Sequence, residues 1–228
     1  MINAATAGRD AFQDLGRAYL RRRYTILFYI LAFTMVASPI IAAIGWRGAL
    51  IESLLAANLL AAVMPVNVGK GRSFLLAGLA VVWLARPVTA WLGHRTLSEM
   101  SLAAWTLIGM FAAVGALRFA MSGTRVDAEH LFAALSAYLL AGIYFGILYW
   151  VLEQLRPGTF APTGFSRTGA IYFSFVTLAT LGYGDIVPRT DVARGLAILE
   201  AVGGQLFLAV LVARLLSLYS SSGGSRTD

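Results

Sequence analysis

Apolar residues along this chain do not alternate as in a half-buried strand. They run on in stretches long enough to cross a bilayer. A spanning helix takes about 20 mostly apolar residues, because the hydrocarbon layer is about 30 Å thick and a helix rises about 1.5 Å per residue. Six stretches reach that length, at about 24–44, 49–66, 73–92, 102–121, 131–152 and 192–219. The third is interrupted by Arg86-Pro87 in its last part, and proline removes a helical donor. A seventh apolar piece, 168–178, is too short to cross and runs into Gly182-Tyr183-Gly184-Asp185, which does not continue a helix. It reads as re-entrant. Non-helical backbone at membrane depth is tolerated only where it is buried in protein or lines a watery cavity. The pattern therefore predicts a pore or a substrate site between the fifth and sixth spans.

Composition agrees with that reading. The 228 residues are 59% hydrophobic and 13% charged, against about 45–50% and about 25% in soluble domains. There is too little polar surface to clothe a soluble globule. The net charge of +7 would suggest nucleic acid in a soluble protein, but in a membrane protein it reports orientation. Arg9, Arg17, Arg21, Arg22 and Arg23 precede the first span and keep the N-terminus cytoplasmic. Alternation then puts 11 of the 18 basic residues inside. Both termini are expected in the cytoplasm of a multi-pass protein of the cell membrane, with no nucleic-acid partner. The first span is too long for a signal-peptide core and reads as an uncleaved anchor. The absence of cysteine excludes disulfides, zinc–thiolate sites and thiol catalysis.

Residues 1–23 form either an amphipathic segment on anionic membrane lipid, with Phe12, Leu15 and Tyr19 on one face, or a solvated tail. Residues 24–121 form a four-helix membrane unit, and 122–219 the unit that carries the short apolar piece. Residues 220–228 are Ser/Gly-rich and read as a disordered tail, with no soluble domain after it.

The stretch that carries chemistry is Thr177-Leu178-Ala179-Thr180-Leu181-Gly182-Tyr183-Gly184-Asp185. Glycine reaches backbone angles costly for other residues, so this chain can run extended with successive carbonyls aimed one way. Leu181 and Tyr183 would then point away and pack against surrounding protein. A ring of such strands presents stacked carbonyl oxygens that replace the water shell of a monovalent cation, and the Thr180 hydroxyl adds one more oxygen layer.

These nine residues resemble the K⁺-channel signature T-x-x-T-x-G-Y-G-D at every fixed position, with Leu181 where valine is common. Pro188 follows Asp185 by three residues, as in many members of the family. The resemblance covers roughly 128–219, while 24–121 match only in general architecture. It implies an all-α membrane protein with six transmembrane helices, a re-entrant pore helix and an extended selectivity filter between the fifth and sixth. K⁺, the permeant ion, would bind at Thr180, Leu181, Gly182, Tyr183 and Gly184. Asp185, Tyr172 and Thr177 would support the filter, Gly203 and Gly204 would form the gating hinge, and Gln205 and Leu208 would face the cavity. One filter per chain implies a homotetramer, since four loops close the ring. Two positions depart from the pattern. A tryptophan pair of the family's pore helix is here Tyr172 and Phe173, and Val176 stands where some bacterial members carry a glutamate that pairs with the filter aspartate. The Tyr172 hydroxyl is expected to reach Asp185 in the tryptophan's place, so that Tyr172→Phe speeds inactivation in single-channel records.

Six spans also resemble the voltage-gated plan. A sensor needs several arginines in the fourth helix, each worth about 2.3 kcal/mol per 100 mV when moved across the membrane. Between 102 and 121 only Arg118 is basic, and the second span offers only Glu52 and Asn58 as counter-groups. Little intrinsic voltage sensing is expected.

Other polar residues carry two readings each. Glu200 is either a functional intramembrane group or a hydrogen-bond partner of the back of the pore helix, the second favoured. Glu153 and Arg156 either steady the pore loop or are solvated, the second slightly favoured. Gly142 and Gly146 form a G-x-x-x-G that reads as close packing. His94 and His130 read as ordinary interfacial residues rather than pH sensors. No metal-ligand cluster, P-loop or nucleophile elbow is present, so no cofactor and no enzymatic reaction are expected. The alternatives are a weakly selective cation channel, or a transporter or membrane enzyme whose re-entrant loop does not conduct.

Overall fold

The computed structural model describes residues 22–44, 49–63, 95–122 and 127–223. Among these residues the elements are α1 (Arg23–Ala43), α2 (Ala49–Val63), α3 (Arg95–Ala120), α4 (Ala128–Leu155), β1 (Phe160–Ala161), α5 (Arg167–Leu178), β2 (Val187–Pro188) and α6 (Asp191–Gly223). Four helices, α1, α3, α4 and α6, are long and apolar enough to cross a membrane. At 15 residues, α2 is a shorter apolar helix. The expected third span, with Arg86 and Pro87, lies outside the described residues, as do His94 and the N-terminal segment up to residue 21.

The axis of the chain is α4, and α1, α3, α5 and α6 all pack on it. Its sequence explains why. Ala133, Ala134, Ala137, Gly142 and Gly146 are buried small residues that let neighbouring backbones come close. A Cβ on Gly142 would lie 2.5 Å from the Phe175 ring, and one on Gly146 would lie 2.5 Å from the Ile171 Cα. The G-x-x-x-G is therefore the seat of α5, as its packing reading expects. On the other side, a Cβ at Gly109 of α3 would lie 2.2 Å from the Tyr144 ring.

The start of α4 also fixes α1. Asp127 caps α4 by accepting from the His130 backbone N–H at 3.0 Å. Two residues on, the Glu129 carboxylate accepts from the Tyr24 and Thr25 backbone N–H groups at 3.0 and 3.3 Å and from the Thr25 hydroxyl. An acid at a helix N-terminus is favoured by the helix dipole, and here it comes from a neighbouring helix. His130 pairs with Asp127 at 2.7 Å and stacks on Phe119, which fits an interfacial histidine. In the core between α1 and α2, Asn58 donates to the Thr34 hydroxyl at 2.9 Å.

The last helix runs further than the sequence suggests. It continues to Gly223, through the serines expected to begin a disordered tail. Serine is only moderately unfavourable in a helix, and extending an existing helix avoids the cost of nucleation.

Candidate functional site

Ser166 starts α5 by accepting from the Gly169 N–H at 3.1 Å, and α5 ends at Leu178. The chain then folds back on the helix it has just left. The Thr180 N–H donates to the Thr177 carbonyl at 3.0 Å, and the Leu181 and Gly182 N–H groups both donate to the Val176 carbonyl, at 2.9 and 3.4 Å. In a trans peptide the N–H and the preceding C=O point opposite ways. The carbonyls of Thr180 and Leu181 are therefore both turned away from α5. Backbone hand alternates through the segment, with φ of +58° at Thr180, +57° at Gly182 and +79° at Gly184. An ordinary strand aims successive carbonyls to opposite sides; alternating hand brings them to one side. Thr180 is the one non-glycine at positive φ among the described residues. Such strain, of order 1–3 kcal/mol, persists where the surroundings enforce it and is typical of functional sites.

Two aromatic residues of α5 face opposite ways. Tyr172 stacks on Tyr183 with ring centroids 6.4 Å apart and planes 14° from parallel. Its hydroxyl is turned to the Asp185 carboxylate. Phe173 turns inward and sits edge-on to Tyr149 and Phe160 at 5.1 and 5.4 Å. Leu181 and Tyr183 remain exposed. The expectation that both pack against surrounding protein is thus unmet within one chain, apart from the Tyr172 contact. The physical reason is that α5 and its return segment are covered on one side only, by α4 and α6.

The segment after the glycines is held by a frame built on Glu153. That side chain is buried and accepts from the backbone N–H groups of Gly158, Phe160 and Gly164 at 3.1, 3.0 and 3.1 Å. The loop so ordered pairs with the chain beyond Asp185: Phe160 stands opposite Pro188, Ala161 stands opposite Val187, and the Arg189 N–H donates to the Thr159 carbonyl at 2.8 Å. Glu153 is therefore not solvated, which corrects the favoured sequence reading. A signal was available. The dipole disfavours a carboxylate in the last turn of a helix, so its presence there asks for N–H partners beyond the helix.

Behind α5, Glu200 of α6 is almost fully buried. It accepts from the Tyr149 hydroxyl at 2.7 Å and is hydrogen-bonded to the Ser174 hydroxyl, which itself bonds the Gly142 carbonyl at 2.6 Å. This is the favoured reading of Glu200, a tie to the back of α5. Ser174 and Tyr149 carry no motif of their own, and sequence reasoning passed over them. Gly203 and Gly204 separate by environment. Nothing lies within 4 Å of a Cβ on Gly203, whereas one on Gly204 would lie 2.9 Å from the Leu178 carbonyl oxygen. Gly204 is thus required for close approach of α6 to the end of α5. Gln205 and Leu208 are exposed on α6, and Thr177 is half-buried on α5. Among the described residues no group of acidic and histidine side chains is placed to hold a metal ion.

Comparison with known proteins agrees with this geometry. A family model described as "Ion channel" matches residues 134–221, the span from mid-α4 through α5 and the return segment to the end of α6. Over 77 residues the chain is 40% identical to the inward rectifier potassium channel Kirbac3.1 of Paramagnetospirillum magnetotacticum, covering 32% of this chain and 24% of that protein. It is 36% identical over 88 residues to two pore potassium channel c of Oryza sativa subsp. japonica, covering 39% of this chain and 18% of that protein. Over 98 residues it is 31% identical to Protein LctB of Geobacillus stearothermophilus, covering 40% of this chain and 72% of that protein. The chain thus spans a quarter or less of the two potassium channels, but most of Protein LctB. No solved structure matches it. With residues 134–221 matched by the family model and most of Protein LctB covered, the chain belongs to the ion channel family.

Proposed function

We propose that the chain is one subunit of a homotetrameric, K⁺-selective channel of the cell membrane, with residues 180–184 as its filter. The reading rests on one observation above all. Two consecutive N–H groups, of Leu181 and Gly182, are tied to the single carbonyl of Val176. That arrangement turns the preceding carbonyls outward together, as a desolvated cation requires. The names of Kirbac3.1 and of two pore potassium channel c give the ion. K⁺ passes down its gradient along backbone oxygens, so the protein supplies geometry and takes part in no covalent step. Tyr172 braces the filter through Asp185.

Assembly follows from incompleteness. One return segment lines one wall, and the exposed Leu181, Tyr183 and α6 leave three further walls to other copies. In the full subunit six helices cross the membrane, α5 re-enters it, and both termini face the cytoplasm. Arg118, exposed near the end of α3, gives too little gating charge for steep voltage dependence.

Flux from liposomes tests the proposal. The full chain, reconstituted, should pass K⁺ far faster than Na⁺ and be blocked by Ba²⁺. Gly182→Ala should abolish flux, because it puts a side chain at positive φ in the proposed ion path. Equal K⁺ and Na⁺ flux would point to a weakly selective cation channel, and no flux from folded tetramer would overturn the proposal.

A further inference from the structure

The cluster behind α5 holds one more hydrogen bond than its hydroxyl groups have protons. Three bonds join four groups: Tyr149 to Glu200, Ser174 to Glu200, and Ser174 to the Gly142 carbonyl. A carbonyl oxygen has no proton and a hydroxyl has one. Tyr149 uses its proton on Glu200 Oε2. Ser174 has only one, and the Gly142 carbonyl can only accept, so that proton goes to Gly142. The bond between Ser174 Oγ and Glu200 Oε1 then needs a proton from elsewhere, and Glu200 is the only group left to carry it.

We propose that Glu200 is a neutral carboxylic acid in the folded channel, donating to Ser174 and accepting from Tyr149, and that in this form it fastens α5 to α4 and α6 at once. The surroundings fit a neutral group. The titratable neighbours acting on Glu200 are Tyr149 and Tyr138, both on α4, and no cation faces it among the described residues. From α5 come Ser174 and the apolar Leu178. From α3 come Met110, Ala113, Val114 and Leu117, which line a cavity of about 330 Å³ that Glu200 also borders. An ionised carboxylate there would lack a counter-charge, which is costly in an apolar setting.

Position makes the proton matter to the filter. Ser174 lies two residues before Val176, whose carbonyl holds the Leu181 and Gly182 N–H groups. Glu200 lies one turn before Gly204, which meets the end of α5 at Leu178. Removing the proton leaves two protons for three bonds and adds a buried charge. Ser174 must then release either Gly142 or Glu200, and α5 loses one of its two anchors. Rising pH should therefore loosen the filter's support, and falling pH should restore it. Glu200 is a positioning residue in this scheme, since it acts on the proposed ion path only through α5.

Infrared spectroscopy of the full chain in liposomes tests the proton directly. At neutral pH the wild type should show the carbonyl stretch of a protonated carboxyl that is lost in Glu200→Gln and fades as pH rises. Tyr149→Phe removes the donor to that carbonyl and should shift the band to higher frequency. Glu200→Gln keeps one donor and one acceptor in place. Its tetramer should survive a rise in pH that weakens the wild type, and its K⁺ flux should lose the wild-type decline at high pH. Absence of a Glu200-dependent band at neutral pH would overturn the proposal, as would a band that Tyr149→Phe leaves in place. The band is read without ion flux, so a chain that proves not to conduct K⁺ still answers the question of the proton.

Discussion

Helices α4 and α6 are almost alike in length and apolar character, yet 56% of the spanning window of α4 is buried inside the chain against 11% for α6. The difference lies in where their small residues sit. α4 carries alanines and glycines along the faces that meet α3 and α5, so four neighbours close on it. Among its described side chains α6 turns only Ala193, Glu200 and Gly204 fully inward, a stripe at spacings of seven and four residues, and leaves Val192, Ile198, Leu206 and Leu216 exposed. Hydropathy reports that a helix avoids water; it does not report whether protein, lipid or another copy of the chain covers it. α4 is the frame of the chain, and α6 leaves most of its surface outside it.

Equal charges placed on the two helices should give the largest contrast. Lysine at the centre of a spanning helix costs about 2.5–3.5 kcal/mol to insert wherever it faces. Ile143→Lys on α4 adds the loss of a buried core position and should yield no folded subunit by circular dichroism and gel filtration. Leu206→Lys on α6 should leave the chain folded but prevent the proposed tetramer, as read by cross-linking in detergent. A folded Ile143→Lys subunit, or a tetrameric Leu206→Lys, would break the contrast.

The glycines sharpen the contrast at a smaller scale. Gly146→Ala drives a methyl group towards the Ile171 backbone and should lower stability by about 1–3 kcal/mol, the usual effect of overpacking. Gly203→Ala meets open space and should stay within about 0.5 kcal/mol. Thermal unfolding in detergent compares them. If Gly203 bends during gating, its alanine variant should change open probability while leaving the melting temperature alone.

The smallest effect should come from the helix starts. At α4, the ring and backbone N–H of His130 hold the Asp127 carboxyl below its usual pKa. A depressed carboxyl contributes stability above its unfolded value, about 3.9, and loses it as pH falls through the folded value. Asp127→Asn should cost less than about 1 kcal/mol at neutral pH, because the side chain is exposed, and the gap from wild type should close in acid. Asp191, in the first turn of α6, has only an exposed ion pair to Arg194 at 3.8 Å, so Asp191→Asn should change little.

Legibility in the sequence followed the kind of force at work. The described spanning helices α1, α3, α4 and α6 were readable because the bilayer imposes a length and a composition on each segment separately. The turn at residues 180–185 was readable because positive φ at Gly182 and Gly184 demands glycine. Glu153 was misread because its three partners lie 5, 7 and 11 residues ahead in a loop with no periodic signal. Ser174 and Tyr149 were invisible for a similar reason, since their partner Glu200 stands 26 and 51 residues away.

The sequence by itself determined that this protein lives in a membrane, where its chain leaves the helical path, and which residues form that exception. These are local matters of hydration and backbone angle. Only the tertiary structure decided that Gly204 is a contact while Gly203 is free, and that Glu153 organises the loop after α4. Each depends on which groups meet across the fold, and the free energy of such a meeting belongs to the pair rather than to either residue.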